Sequence, residues 1–186
     1  MTCDIFQTVE DLDDAEELKK NGPVYCDDTS AWLGVGYYFW DSEIELAHWW
    51  GRVHYRYKSY MILKSSYDNT SGNMFDLYDN AEHRRDFIEA YKVICEKVGK
   101  DVCTVPYVLM LLKKSKRYNY KAIRAKFDNS INQGELYTYR PRPITGSHAF
   151  LDLYPAIQIC VMDKSFMTSP ITVVYPKEYI EESYIL

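Results

Sequence analysis

The stretch Leu33–Trp50, LGVGYYFWDSEIELAHWW, is where the fold of this chain can best be read. With Trp32 in front of it, it opens as an aromatic run broken by Gly34 and Gly36, too short for a buried helix and typical of a strand. The two glycines allow a ligand to approach the backbone closely. Asp41 or Ser42 then caps a helix with Ile44 and Ala47 inward, His48 as a further inward candidate, and Gly51 at its end. Along the strand Tyr38 and Phe39 take opposite faces, and the second turn of the helix carries Trp49. One turn of helix past a strand can fold an aromatic ring back over the strand. Tyr38 and Trp49 could therefore sandwich a flat, electron-poor heterocycle. The competing reading is that these rings simply fill the core.

Outward from this stretch, Glu10–Lys20 reads as a short helix with Leu12, Ala15 and Leu18 on one side. Its acids crowd the first turns and Lys19-Lys20 the last, as the helix dipole favours, and Asn21-Gly22-Pro23 stops it. Downstream, Val53–Tyr60 alternates: Val53, Tyr55 and Tyr57 face one way, His54, Arg56 and Lys58 the other, which predicts a strand. Phe87, Tyr91, Ile94, Cys95 and Val98 fit one helical face, as do Val105, Val108, Leu109 and Leu112. Strands return at Ala156–Met162 and Ile171–Tyr175. Strands at both ends around a helical middle predict an α+β fold, and the absence of repeats or linkers predicts one domain over 1–186.

The composition bounds the function. The 186 residues are 47% hydrophobic and 16% aromatic, with a net charge of −5, which excludes disorder as the main state. A sequence pI of about 5.4 also argues against a globally basic nucleic-acid binder. The amino terminus is acidic and has no apolar segment of a signal peptide. The longest apolar runs reach about half of the ~20 residues a membrane span needs. Five cysteines with no C-x-x-C predict free thiols and a cytoplasmic location. Residues 1–50 carry twelve acids and two bases, whereas residues 102–127 carry seven bases and no acid. That asymmetry reads either as a phosphate-tolerant cleft wall or as a solvated helix end with its loop. Gly34-Val35-Gly36 is no dinucleotide fingerprint, no phosphate-binding loop occurs, and His48, His54, His83 and His148 form no metal array.

The stretch from Gly34 to Trp49 resembles the glycine-x-glycine-x-tyrosine-phenylalanine strand, and following helix, of the poly(ADP-ribose) polymerase and diphtheria-toxin-like ADP-ribosyltransferases. Laid without gaps, the strand tyrosine falls on Tyr38, the helix alanine on Ala47 and the nicotinamide-stacking aromatic on Trp49. The small hydroxyl residue of the family would fall on Leu46, a departure. The resemblance also implies an upstream histidine strand, here Ile5-Phe6-Gln7-Thr8, where Gln7 or, shifted by one, Phe6 takes the histidine's place. It implies a late glutamate at the start of a strand, where this chain has Gln158.

Taken at face value, the resemblance implies a pair of mostly antiparallel sheets around an NAD cleft, with a helical insertion in mid-chain. Gln7, Tyr38 and Gln158 would stand at the catalytic positions, and Thr8, Gly36, Trp49 and Arg56 would bind the cofactor. Lys58 and Arg124 are further candidates for the pyrophosphate. NAD would be the substrate and a protein or nucleic acid the acceptor. Glutamine supplies no negative charge, so single transfer is expected rather than a polymer. A bacterial or phage toxin or effector, with an antitoxin or inhibitor as partner, fits that picture. The alternative is a catalytically silent NAD- or nucleotide-binding module acting in recognition.

Overall fold

The computed structural model describes residues 1–56, 58–126 and 152–180. Tyr57 and His148 fall outside the described residues. The fold is α+β: seven strands, β1 (Thr2–Glu10), β2 (Tyr37–Asp41), β3 (Tyr60–Asp68), β4 (Met74–Asp76), β5 (Ala122–Lys126), β6 (Ile157–Val161) and β7 (Thr172–Tyr175), form one sheet in the order β4-β5-β6-β2-β1-β3-β7. Among the described residues, only β4 and β5 run parallel, and the other neighbours are antiparallel. Helices α1 (Ala15–Asn21), α2 (Ile44–Trp50), α3 (Ala81–Val98) and α4 (Val105–Lys113) complete the fold. The last two form the mid-chain helical insertion, between β4 and β5. Among the described residues, no helix is long and apolar enough to cross a membrane.

Hydrogen bonding joins the seven described strands into one sheet, not the pair expected, yet the sheet is weakly closed at its centre. β1 pairs with β3 over nine consecutive registers, from Thr2↔Asp68 to Glu10↔Tyr60, but with β2 only at Ile5↔Asp41 and Phe6↔Trp40. Beyond Phe6 the two strands part. Two half-sheets, β4-β5-β6-β2 and β1-β3-β7, therefore meet over a short seam and open toward Gln7–Glu10.

Both faces of the sheet are covered, which is why its central strands are apolar on both sides. On one face Ile5, Phe39, Met61, Leu63, Tyr67, Ile159 and Val161 pack under α1. On the other, Phe6, Trp40 and Ile62 meet Leu46, Ala47 and Trp49 of α2. Beside them Ile123 and Cys160 meet Leu109 of α4.

The closed end of the seam is riveted by charge. Asp41, 3% exposed, accepts from Arg124 Nε and Nη2, each at 2.7 Å, and from the Tyr67 hydroxyl at 3.1 Å. Arg124 also reaches Asp76 at 3.1 Å. Tyr67 belongs to one half-sheet and Arg124 to the other, so the single carboxylate of Asp41 holds both. Burial alone would lower the Arg124 pKa, but the surrounding Asp41, Tyr67 and Asp76 more than reverse this and raise it. Arg124 is thus committed to the core and does not serve a pyrophosphate.

Several local expectations are corrected. The strand expected over Val53–Tyr60 does not form at Val53–Arg56: Gly51–Tyr55 continues α2 as a wider helical turn, and β3 begins at Tyr60. Gly51 does not end the helix. It leaves room for the Tyr60 ring, which a Cβ there would meet at 2.6 Å. α1 starts at Ala15, because Glu10 is still part of β1, facing Tyr60. Cys95 and Cys103 form a disulfide linking the end of α3 to the turn before α4, contrary to the free thiols expected; Cys3, Cys26 and Cys160 are free.

Candidate functional site

Where β1 and β2 part, a cleft of about 570 Å³ opens, a size that suits a nucleotide-scale ligand. β1 contributes Gln7 to Glu10, β2 contributes Tyr38 to Trp40, and β6 contributes Gln158. Asp14 and Leu18 come from the α1 region, and Trp50, His54 and Tyr55 from the α2 extension. The connection between α1 and β2 closes the top with Val24, Tyr25, Cys26, Asp28, Ala31 and Trp32.

That connection is pinned by the glutamines. Gln7 donates from Nε2 to the Val24 carbonyl at 2.8 Å and accepts from the Val24 N–H at 2.7 Å. Its amide thus plays the part of a strand partner that β2 has ceased to provide. Gln158 accepts from the Trp32 indole at 2.7 Å. Across the sheet Phe6, Trp40 and Gln158 lie in one row and share a face, while strand alternation turns Gln7 to the opposite face. Gln7 and Gln158 therefore reach the cleft from opposite faces of the sheet, each through a residue of the same connection.

Tyr38 also lines the cleft, and its hydroxyl is fully engaged. It accepts from the Leu33 N–H at 3.0 Å and donates to the Gly34 carbonyl at 2.7 Å. Burial pushes its pKa well up, so it stays a neutral phenol that shapes the turn. Thr8 borders the cleft too, with its hydroxyl donated to the Ala47 carbonyl at 2.7 Å, a bond that ties α2 to β1.

Gly36, Trp49 and Arg56 do not line the cleft. Gly36 has φ 155° and bridges Cys26, and a Cβ there would meet Cys160 Sγ at 2.6 Å. Its glycine serves strand packing rather than ligand approach. Trp49 is 4% exposed, edge-on to Trp40 at 6.1 Å, with an indole N–H that lacks a partner. Arg56 is exposed and donates to the Val53 carbonyl of its own turn at 3.2 Å.

The aromatic wall is instead built by the neighbouring residue. Trp50 stacks on His54 with ring centroids 4.8 Å apart and planes 10° from parallel, and both rings line the cleft. Residues four apart share a helix face, so the spacing from Trp50 to His54 was the available signal. The buried face of α2 carries Leu46, Ala47 and Trp49, which leaves Trp50 at the cleft.

The charge of the cleft runs opposite to the phosphate-tolerant wall that one reading of the basic segment gave. Glu10, Asp14 and Asp28 line it, with no lysine or arginine among the described residues there. Glu10 is paired with Lys58 at 2.6 Å, which occupies that lysine at the rim. Hydrogen bonds from the Ser30 hydroxyl and N–H hold Asp28 below the usual carboxylate range. Of the basic segment, Lys113 donates to the Leu33 carbonyl at 3.3 Å, with its pKa lowered by burial. No group of three or more metal-ligating side chains occurs among the described residues.

No protein-family model matches this chain, and no curated protein and no solved structure matches it.

Proposed function

We propose that this chain is an ADP-ribosyltransferase-like domain that takes NAD into the cleft and passes a single ADP-ribose to a macromolecular acceptor, protein or nucleic acid. One observation carries the reading: Gln7, Tyr38 and Gln158, assigned from three distant stretches of sequence, line one cleft on three adjacent strands, a cleft that the Trp50–His54 stack also lines. Trp50, not Trp49, stacks on the nicotinamide ring in this reading, with Tyr38 across from it.

In the reaction the bond between the nicotinamide nitrogen and ribose C1′ breaks, and its electron pair leaves with the nicotinamide. An acceptor oxygen or nitrogen bonds to C1′ and gives up its proton. The transition state is a sugar cation, as in glycoside hydrolysis. Gln7 and Gln158 offer it amide dipoles but no charge, and the acidic groups lining the cleft are Glu10, Asp14 and Asp28. Loss of one electrostatic stabiliser costs about 10²–10³ in rate. The acceptor must then bring its own base, which favours single transfer over chain growth.

A second reading, a silent NAD- or nucleotide-binding module, draws on the engagement of both glutamine amides with the connection above the cleft. Incubating the protein with labelled NAD and a cell lysate separates the two. Label on protein or nucleic acid, lost in Tyr38→Ala and Trp50→Ala, supports transfer. No label, but a thermal shift with nicotinamide that both variants abolish, supports the silent module. Neither label nor shift overturns both readings.

A further inference from the structure

We propose that Trp32 is an autoinhibitory latch: its indole holds Gln158 until a ligand bearing a ribose hydroxyl displaces it. The proposal rests on the reading of the cleft as an NAD site and adds to it what keeps that site closed. The Trp32 indole donates to Gln158 Oε1 at 2.7 Å, and both residues line the cleft. Gln158 lies buried on β6 among Ile157, Ile159, Cys160 and Val161, and a buried amide needs a hydrogen-bond partner. The chain supplies that partner itself. An amide oxygen has two acceptor positions, one of which the indole fills. The oxygen that would receive a ribose hydroxyl is therefore the one already receiving Trp32.

The backbone on either side of Trp32 is held without that bond. Leu33 is fully buried, donates its N–H to the Tyr38 hydroxyl at 3.0 Å and accepts at its carbonyl from Lys113 Nζ at 3.3 Å. Ahead of Trp32 the chain forms a turn bonded to itself. Asp28 Oδ1 accepts from the N–H and the hydroxyl of Ser30, the Asp28 carbonyl from the Ala31 N–H at 3.0 Å, and the Ala31 carbonyl from the Gly34 N–H at 2.7 Å. The half-buried Trp32 ring can thus leave Gln158 by changing its own side-chain rotamer, with the turn and the Leu33 anchor intact. Gln7 is placed differently. Its amide grips both backbone groups of Val24, so it fixes the connection in position, whereas the Trp32–Gln158 bond joins two side chains and is the one a ligand can replace.

Nicotinamide riboside carries the hydroxyls that compete with the indole, and nicotinamide carries none. Calorimetry of both compounds with the full chain and with Trp32→Phe, which keeps a ring and removes the donor, tests the latch. The variant is expected to bind the riboside about two- to tenfold more tightly, since entry no longer breaks a neutral hydrogen bond. Its affinity for nicotinamide is expected to stay unchanged. In a Gln158→Ala background the same substitution is expected to change neither affinity. A bond made only in the closed state is recognised by a substitution that costs stability and gains affinity. A gain shared by nicotinamide, or one that persists in the Gln158→Ala background, would mean a loosened cleft and overturn the latch. Riboside affinity that is unchanged or weaker in Trp32→Phe, or no riboside binding by either protein, would overturn it as well. NAD-dependent labelling of an acceptor without the riboside gain would remove the latch and keep the transferase. The gain through Gln158 without any labelling would do the reverse.

Discussion

The two edges of β1 are treated differently. Along one edge, β3 runs beside it through nine registers, and backbone hydrogen bonds do the joining. Along the other, β2 leaves after two, and side chains take over: Asp41 at the closed end, Gln7 and Thr8 along the open lip. A ladder is indifferent to side-chain identity, whereas the opened edge depends on particular residues. The cleft is thus located where the fold has exchanged generic bonding for specific bonding.

That contrast can be broken most severely at the rivet. Asp41→Ala leaves Arg124 buried with one partner fewer and the two half-sheets without their common carboxylate. Removing one partner of a buried pair typically costs about 3–5 kcal/mol, to be read from urea unfolding. A loss under about 1 kcal/mol would mean the seam is held by packing alone.

Gln7→Ala comes next. It removes both bonds to Val24, with an expected loss of about 1–3 kcal/mol and faster hydrogen exchange at the Val24 amide. Exchange that stays slow at Val24 would show the connection to be held elsewhere. Trp32→Phe removes the indole bond to Gln158 and keeps most of the ring, so about 0.5–1.5 kcal/mol is expected from the same unfolding curves.

The mildest test leaves stability untouched. The Cys160 thiol is pushed up to about 11, chiefly by burial, and is fully enclosed. Thiolate is the reactive form, so iodoacetamide at pH 8 should modify the half-buried Cys3 and Cys26 well before Cys160. Cys26 lines the cleft, so under the proposed function nicotinamide should slow its reaction and not that of Cys3. Mass spectrometry of the native protein reads both outcomes.

Much of this was visible in the sequence where one face of an element is buried and the other is wet. α1, with Ala15 and Leu18 buried beside exposed Glu16 and Glu17, and α4, with Val108 and Leu109 buried beside exposed Met110, carry such patterns, whereas β6 is buried throughout and was legible from its mostly apolar run. β3 carries no such pattern: Met61, Ile62 and Leu63 are buried in succession, so its central position erases the alternation. Of the alternating segment Val53–Tyr60, Val53–Tyr55 belong instead to a wide helical turn. Of the residues singled out in the sequence, Gln7, Thr8, Tyr38 and Gln158 line the cleft, whereas Trp49 does not and its neighbour Trp50 does. Two adjacent tryptophans differ only in helix rotation, about 100° per residue, and the rotation that buries Leu46 and Ala47 also buries Trp49.

The connection over the cleft has one consequence for how anything enters. Its Val24 end is tethered to one lip of the opening and its Trp32 end to the other. Prising the lips apart pulls the tether taut, and slackening the tether lets the lips spread. Spreading the lips would therefore strain the Gln7–Val24 and Trp32–Gln158 bonds together, alongside the Cys26–Gly36 backbone bridge that holds the same connection.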